Sequence, residues 1–439
     1  MGILLHASGC TDTVGTVTIE LAADPSSDLL ERLQSVQVKL SNPPQVANAE
    51  RNSNGTLSLQ LEVDARGEIG NLSLEAFDRS NQLIGVAHSP PLPISAIDGL
   101  LTLHVAPPLS MSNARNVMDS VRTEMAVTAL SFGAIMVGGR TTDGSVSSAV
   151  VVYNVYNHDF QIGKDLPLAR AQSAIFSGAS NRIYLFGGTN SAGNPLARAT
   201  GFNTTVAPAG SYVELTTTDS LARSGATAVS IGPDLGIVGG GTAVVVDGIA
   251  QKATELPGAF ILNGTLTQSK DIVLAVGAGT ATTGAARVNS QSVTEISAPA
   301  QAQRTGHRAV TLGGDDVLII GGSVDNMTCT DGLRYLAASD EFTVVTDLLP
   351  IGRNQPAVAV SDRYIIVAGG MDQNGDIYPS VDVIRASDLS PVATLALTVP
   401  RTDAHAIALA NGQVLIAGGR DLNGDPIAIL ELFTPDLSN

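Results

Sequence analysis

The feature that most constrains this chain is a short apolar run ending in a glycine doublet, which recurs at a near-constant interval. AIMVGG ends at Gly138-Gly139, IYLFGG at Gly187-Gly188, LGIVGG at Gly239-Gly240, VLIIGG at Gly321-Gly322, IIVAGG at Gly369-Gly370 and VLIAGG at Gly418-Gly419. A seventh, degenerate run, LAVGAG, puts Gly277 and Gly279 where the doublet belongs. From first glycine to first glycine the steps are 49, 52, 38, 44, 48 and 49 residues, the length of a four-stranded propeller blade. An arginine locks the register: Arg122, Arg170, Arg223, Arg304, Arg353 and Arg401 each stand 16 or 17 residues before a doublet. The fourth unit has Phe260 or Ile261 there, so it departs from both markers together.

The segments RTGHRAVTLGGDDVLIIGG and RTDAHAIALANGQVLIAGG, the latter running on to ILELFTP, resemble kelch repeats of the galactose-oxidase central-domain type, over roughly residues 110 to 437. The resemblance implies a seven-bladed β-propeller and says little about function, because such propellers serve many roles. Kelch blades often carry a Trp on the outer strand and this chain has none, so Phe160, Tyr212 and Phe342 are expected at some of those positions. Within a unit, strand a follows the Arg, strand b ends in the doublet, strand c is a run such as VVVYN or ILELF, and strand d leads to the next Arg. The sequence stops at Asn439, just after the last strand c, so a strand at about 109–118 is expected to complete that blade and close the ring.

Ahead of the propeller, the runs GTVTIEL, SVQVKL, GTLSLQLEVD, NLSLEAFD, QLIGVAHS and LLTLHVAP alternate with period two, which predicts half-buried antiparallel strands. Six such strands suggest a small β-sandwich of immunoglobulin or fibronectin type. The chain therefore divides into 1–11, a short leader-like segment; 12–108, the sandwich, ending at Pro107-Pro108; and 109–439, the propeller. The fold class is all-β, and only Asp28 to Gln34 suggests a turn or two of helix.

Charge excludes one class of partner. At a formal −17 the chain does not suit sequence-independent nucleic-acid binding, which needs a basic surface. Two cysteines, Cys10 and Cys329, are too few for a disulfide framework or a thiolate metal site. The opening Met1-Gly-Ile-Leu-Leu-His-Ala-Ser-Gly-Cys10 resembles the end of a bacterial lipoprotein signal, with Ala7 where Leu is usual and no basic region before it. Lipidation at Cys10 would be the only membrane attachment, since no apolar run is long enough to span a bilayer. The expected location is the bacterial cell envelope, as an outer-membrane lipoprotein or a secreted protein.

The connections from d to a and from b to c emerge on one face of the disc, so the six repeat arginines are expected near the mouth of the central channel. There they would suit recognition of an acidic peptide or acidic glycan. The same periodicity also suits scaffold duty, in which each guanidinium bonds loop carbonyls or an acid. The main expectation is a non-catalytic envelope protein binding a protein or cell-surface glycan through that Arg face, with no cofactor, no metal and no catalytic residue. One alternative is an enzyme of the acidic-sugar epimerase type, with Glu255 or Glu295 as its carboxyl; another is a structural subunit of a larger assembly. Asp372-Gln-Asn-Gly-Asp376 and Asp421-Leu-Asn-Gly-Asp425 resemble the start of a calcium loop but lack its distal Glu, and they fall on hairpin turns. His307 and His405 follow the repeat Arg and are expected to pack, and a copper site of two Tyr, two His and a Cys is not assignable.

Overall fold

A computed structural model describes residues 14–42, 44–51, 60–64, 69–93, 100–206 and 210–436. Cys10, and with it the expected lipidation, lies outside these residues. The structure is all-β, a propeller of seven antiparallel sheets, each four-stranded except the fifth, which adds the short strand Met327–Thr328, preceded by a small sandwich.

In the sandwich one sheet runs Pro44–Glu50, Ser35–Ser41, Leu72–Phe77, Leu83–His88, and faces a second built on Val14–Ala22. The alternation read from the sequence is kept where it matters: Leu72, Leu74 and Ala76 point inward to join Val36, Val38, Leu101 and Leu103. Two differences stand out. Val14–Ala22 pairs in parallel with Leu100–His104, so the domain is not wholly antiparallel. Pro44–Glu50 was not foreseen as a strand, because an edge strand with no fully buried residue carries no hydrophobic alternation to read. The single helical turn is Leu29–Arg32.

The first blade begins at Ala126, and the last is completed by Ser110–Asn113, which pairs antiparallel with Glu431–Thr434. Strands a lie innermost and strands d outermost. Seven apolar clusters fill the spaces between successive blades; Leu415 and Leu432 of the seventh blade, for example, pack on Met136 and Val151 of the first. The core is thus a ring of inter-blade seams, each removing apolar area worth about 25 cal/mol per Å² from water.

The doublets exist because the next blade leaves no room for a side chain. Gly369 and Gly370 have φ of 62° and 91°, and a Cβ on Gly369 would lie 2.2 Å from the Arg401 carbonyl oxygen. In blades one, two, five and six the second residue of the doublet donates its N–H to the carbonyl of the following blade's repeat Arg, as from Gly139 to Arg170 (2.9 Å) and from Gly370 to Arg401 (2.9 Å). In the aberrant fourth unit the same bonds run from Gly240 to Ile261 and from Ala278 to Arg304. Ile261 therefore stands in the Arg position and Gly277-Ala278 is the degenerate doublet.

Candidate active site at the channel mouth

The repeat arginines are scaffold. Arg122, Arg170, Arg304, Arg353 and Arg401 are among the most deeply buried side chains of the protein, and Arg223 is half-buried. Each guanidinium folds back onto its own blade. Arg122 Nη1 donates to the Gly138 and Ala149 carbonyls (2.6 and 2.7 Å), Arg223 Nη1 to Gly239 and Thr242, and Arg304 Nη1 to Gly321 and Asp331. Arg353 and Arg401 do the same and add buried ion pairs to Asp382 and Glu431, both at 2.6 Å. Arg170 Nη2 donates to Thr200 Oγ1 (2.7 Å). Burial lowers the pKa of all six, Arg122 to about 10. The expected solvent-facing Arg ring is corrected accordingly: guanidiniums buried inside the blades cannot fork onto a ligand at the surface.

The residues that do face the mouth lie two positions further on. After each Arg the chain turns through the left-handed region, at Glu124, Gln172, Gly225, Gly306, Gln355 and Asp403, with φ between 53° and 64°. Four of these six are not glycine, so the local strain, about 1 kcal/mol or more each, is held by the surrounding structure. The holding bonds are backbone ones between neighbouring blades: Gln172 N–H to Glu124 O (2.9 Å), Gly225 to Gln172 (2.9 Å), Gln355 to Gly306 (2.7 Å) and Asp403 to Gln355 (3.3 Å).

This belt places two carboxylates on either side of the seam between the seventh and first blades. Glu124 accepts from Arg140 Nε (3.1 Å) on one oxygen and from Gln172 Nε2 (3.0 Å) on the other. Asp403 accepts from Arg420 Nε and Nη2 (3.1 and 3.0 Å), both on Oδ2, which leaves Oδ1 without a partner among the described residues. Arg140 and Arg420 directly follow the doublets of blades one and seven. The pattern was therefore present in the sequence as RTE…GGR and RTD…GGR, found in those two units alone.

Arg308, on strand a of the fifth blade, completes the group. Among the described residues it makes one hydrogen bond, to the His307 carbonyl (3.3 Å), and no salt bridge. Burial lowers its pKa and the Asp403 carboxylate raises it, although Asp403 lies two blades round the ring. Its charge also reaches His405 of the seventh blade, whose pKa burial takes down to about 4. Strand a is the innermost of its blade, which puts Arg308 on the inner edge of the ring. This group thus sets three guanidiniums, Arg140, Arg308 and Arg420, against two carboxylates, while Asp143, Asp372, Asp376, Asp421 and Asp425 stand on the b-to-c loops of the same face. A buried Gln355 Oε1 without a partner adds an acceptor. Opposite this polar side, the fourth blade presents exposed Phe260 and Leu262.

Glu255 and Glu295 do not belong to this group. Both are exposed and sit on outermost strands, of the third and fourth blades, with Glu295 bonded to Thr282 and Thr283. His307 and His405 pack as expected, Nε2 of His307 binding the Val276 carbonyl of the neighbouring blade (2.9 Å) and His405 bonding the Met125 backbone.

No family model and no curated protein matches this chain. Among solved structures it is similar to a fungal alcohol oxidase of the AA5 family in complex with copper, at TM-score 0.59 and 15% identity over 73% of this chain and 76% of that one. It also aligns with YjhT at TM-score 0.48 and 13% identity, over 73% of this chain and 96% of that one. At such identities the likeness is one of fold, of the kelch and galactose-oxidase kind. It nonetheless corrects the expectation of a non-catalytic scaffold, since the better match in fold is an enzyme and the Arg face invoked for recognition is buried. The residues here do not fit copper: among those described, no three His, Cys, Asp or Glu side chains converge on one point, and His307 and His405 are engaged between blades.

Proposed function

We propose that the protein is an enzyme that interconverts forms of an acidic sugar by proton transfer at this channel mouth. The observation that carries the reading is Arg308, an inner-strand guanidinium with its donors almost unspent, on the same inner ring as Asp403, a carboxylate whose Oδ1 has no partner among the described residues. A sugar carboxylate accepts a two-pronged hydrogen bond from Arg308, a guanidinium with no salt bridge among the described residues, which favours an anion over a neutral sugar. Asp403 Oδ1 then accepts the proton of the anomeric hydroxyl as the ring C–O bond breaks, while the ring oxygen takes a proton from water in the open mouth. Reclosure on the opposite face of the carbonyl, with Asp403 returning its proton to the carbonyl oxygen and the ring hydroxyl giving its proton back to the hydroxide, yields the other anomer. Arg420 fixes Asp403 through Oδ2, so the free oxygen is aimed without reorganisation. Glu124, held at both oxygens, keeps the rim in place and accepts from sugar hydroxyls.

The test is anomer exchange of uronic and ulosonic acids followed by magnetisation-transfer NMR. Wild-type protein is expected to accelerate exchange of at least one. Asp403→Asn should lower kcat by about 10²-fold or more, the usual contribution of a general base, and Arg308→Met should act mainly on KM. No acceleration of any acidic sugar by wild type overturns the reading.

A further inference from the structure

On the opposite face of the disc, where the a-to-b hairpins emerge, the sandwich and the propeller enclose a cleft of about 620 Å³. Its walls come from both domains: Asn71, His88 and Ser89 from the sandwich, and the hairpins around Asp362 and Asn411 from blades six and seven. A second cavity of about 480 Å³ shares Asp362, Arg363, Tyr364 and Asp436 with it and continues to Arg334 and Arg385, so the two form one groove.

The chemistry of this groove is polar. Its three guanidiniums are each neutralised in place: Arg363 by Asp436 (2.7 Å), Arg334 by Asp316 (2.7 Å) and Arg385 by Asp388 (3.4 Å). His88 is kept below its usual pKa by burial, with the Asp362 carboxylate opposing, and so is uncharged at neutral pH. Asp362 sits at a hairpin tip with φ of 42°, exposed and without a hydrogen bond among the described residues, over Gly412 of the next blade. Donors and acceptors therefore line the groove in mixed order, with the Asp362 carboxylate its one unpaired charge among the described residues, and Gly313 at its far end borders open space.

We propose that this interdomain groove is a second binding site, for a neutral oligosaccharide, with Asp362 and Arg363 contacting its hydroxyls and His88 closing the sandwich side. A hydroxyl donates and accepts at once, so a run of hydroxyls suits such a mixed lining, whereas an anion meets guanidiniums already paired and an apolar ligand leaves polar groups unsatisfied. Clefts between domains are where small molecules are bound most often. This site is independent of the channel mouth.

The experiment is titration calorimetry of the full chain with neutral tetrasaccharides of the β-1,4-glucan, α-1,4-glucan and chitin series. One series is expected to bind, with affinity lowered about tenfold or more in Asp362→Ala and in Arg363→Ala, as for a hydrogen bond to a charged group, and unchanged in Asp403→Asn. Asp362 and Arg363 are exposed, so both variants should melt near wild type, and a thermal scan checks this. Absence of binding by every series at about 10 mM, roughly a Kd at which only about 3 kcal/mol of affinity remains, overturns the proposal. So does binding that both variants retain, or that Asp403→Asn abolishes.

Discussion

Lowering the pH from 7 to 4.5 should unfold this protein through imidazoles that the fold buries uncharged. His104 and His158 meet at the junction of sandwich and propeller with ring centres 5.5 Å apart, and His307 lies between blades four and five. All three are at most 2% exposed. Burial takes their pKa values from 6.5 down to about 4 for His104 and about 3 for His158 and His307. The positive charge of Arg115 pushes His158 further down, as those of Arg304 and Arg308 do His307. With the folded pKa depressed, the unfolded chain binds more protons below pH 6.5, so stability is full above that pH and falls as pH drops toward the folded values. Each proton is worth about 1.4 kcal/mol per pH unit, so three amount to about 4 kcal/mol per unit, or about 6 kcal/mol between pH 6 and 4.5. That approaches the whole stability of an ordinary domain, about 5–15 kcal/mol. The assay is the urea midpoint followed by far-UV circular dichroism at half-unit steps from pH 7 to 4.5. The midpoint should fall steadily below pH 6.5, and His307→Asn should lose about a third of the slope. A flat midpoint, or a slope that His307→Asn leaves unchanged, would refute the argument that these rings are buried neutral.

Two further outcomes follow from the scaffold. Arg353→Met strands the buried Asp382 carboxylate and should cost about 3–5 kcal/mol in the urea assay, while adding Asp382→Leu should recover a large part, because the pair costs desolvation on both sides. Gly369→Ala drives a Cβ to within 2.2 Å of the Arg401 carbonyl and should cost well above the penalty for left-handed alanine alone. Gly424→Ala, at φ of 85° but with nothing within 4 Å, should cost only about 1–2 kcal/mol; equal losses at the two sites would remove the steric account of the doublet.

The fold was legible because it is periodic, and the site was not because it breaks the period. An Arg 16 or 17 residues ahead of a Gly-Gly had to recur, since all but one of the six carbonyls meet the neighbouring doublet and nearly every guanidinium caps its own blade. Its recurrence marks load shared equally round the ring, and so argues against a role at one place. The unforeseen strand Pro44–Glu50 shows the converse limit, an element held by backbone pairing with no side-chain period to announce it. Chemistry needs unlike groups at one point, and a seven-fold scaffold supplies these only where units differ. The acid–Arg pairs occur in blades one and seven, which adjoin where the ring closes, and amides follow on either side at Gln172 and Gln355. Glycines hold the same turn at Gly225 and Gly306, flanking the blade that has lost its Arg to Ile261. The mouth is thereby graded from charged to open across its diameter. A small acidic molecule entering it meets Glu124 and Asp403 on one side, Phe260 on the other and Arg308 between them, an asymmetry that a binding surface built from the repeat itself would not have.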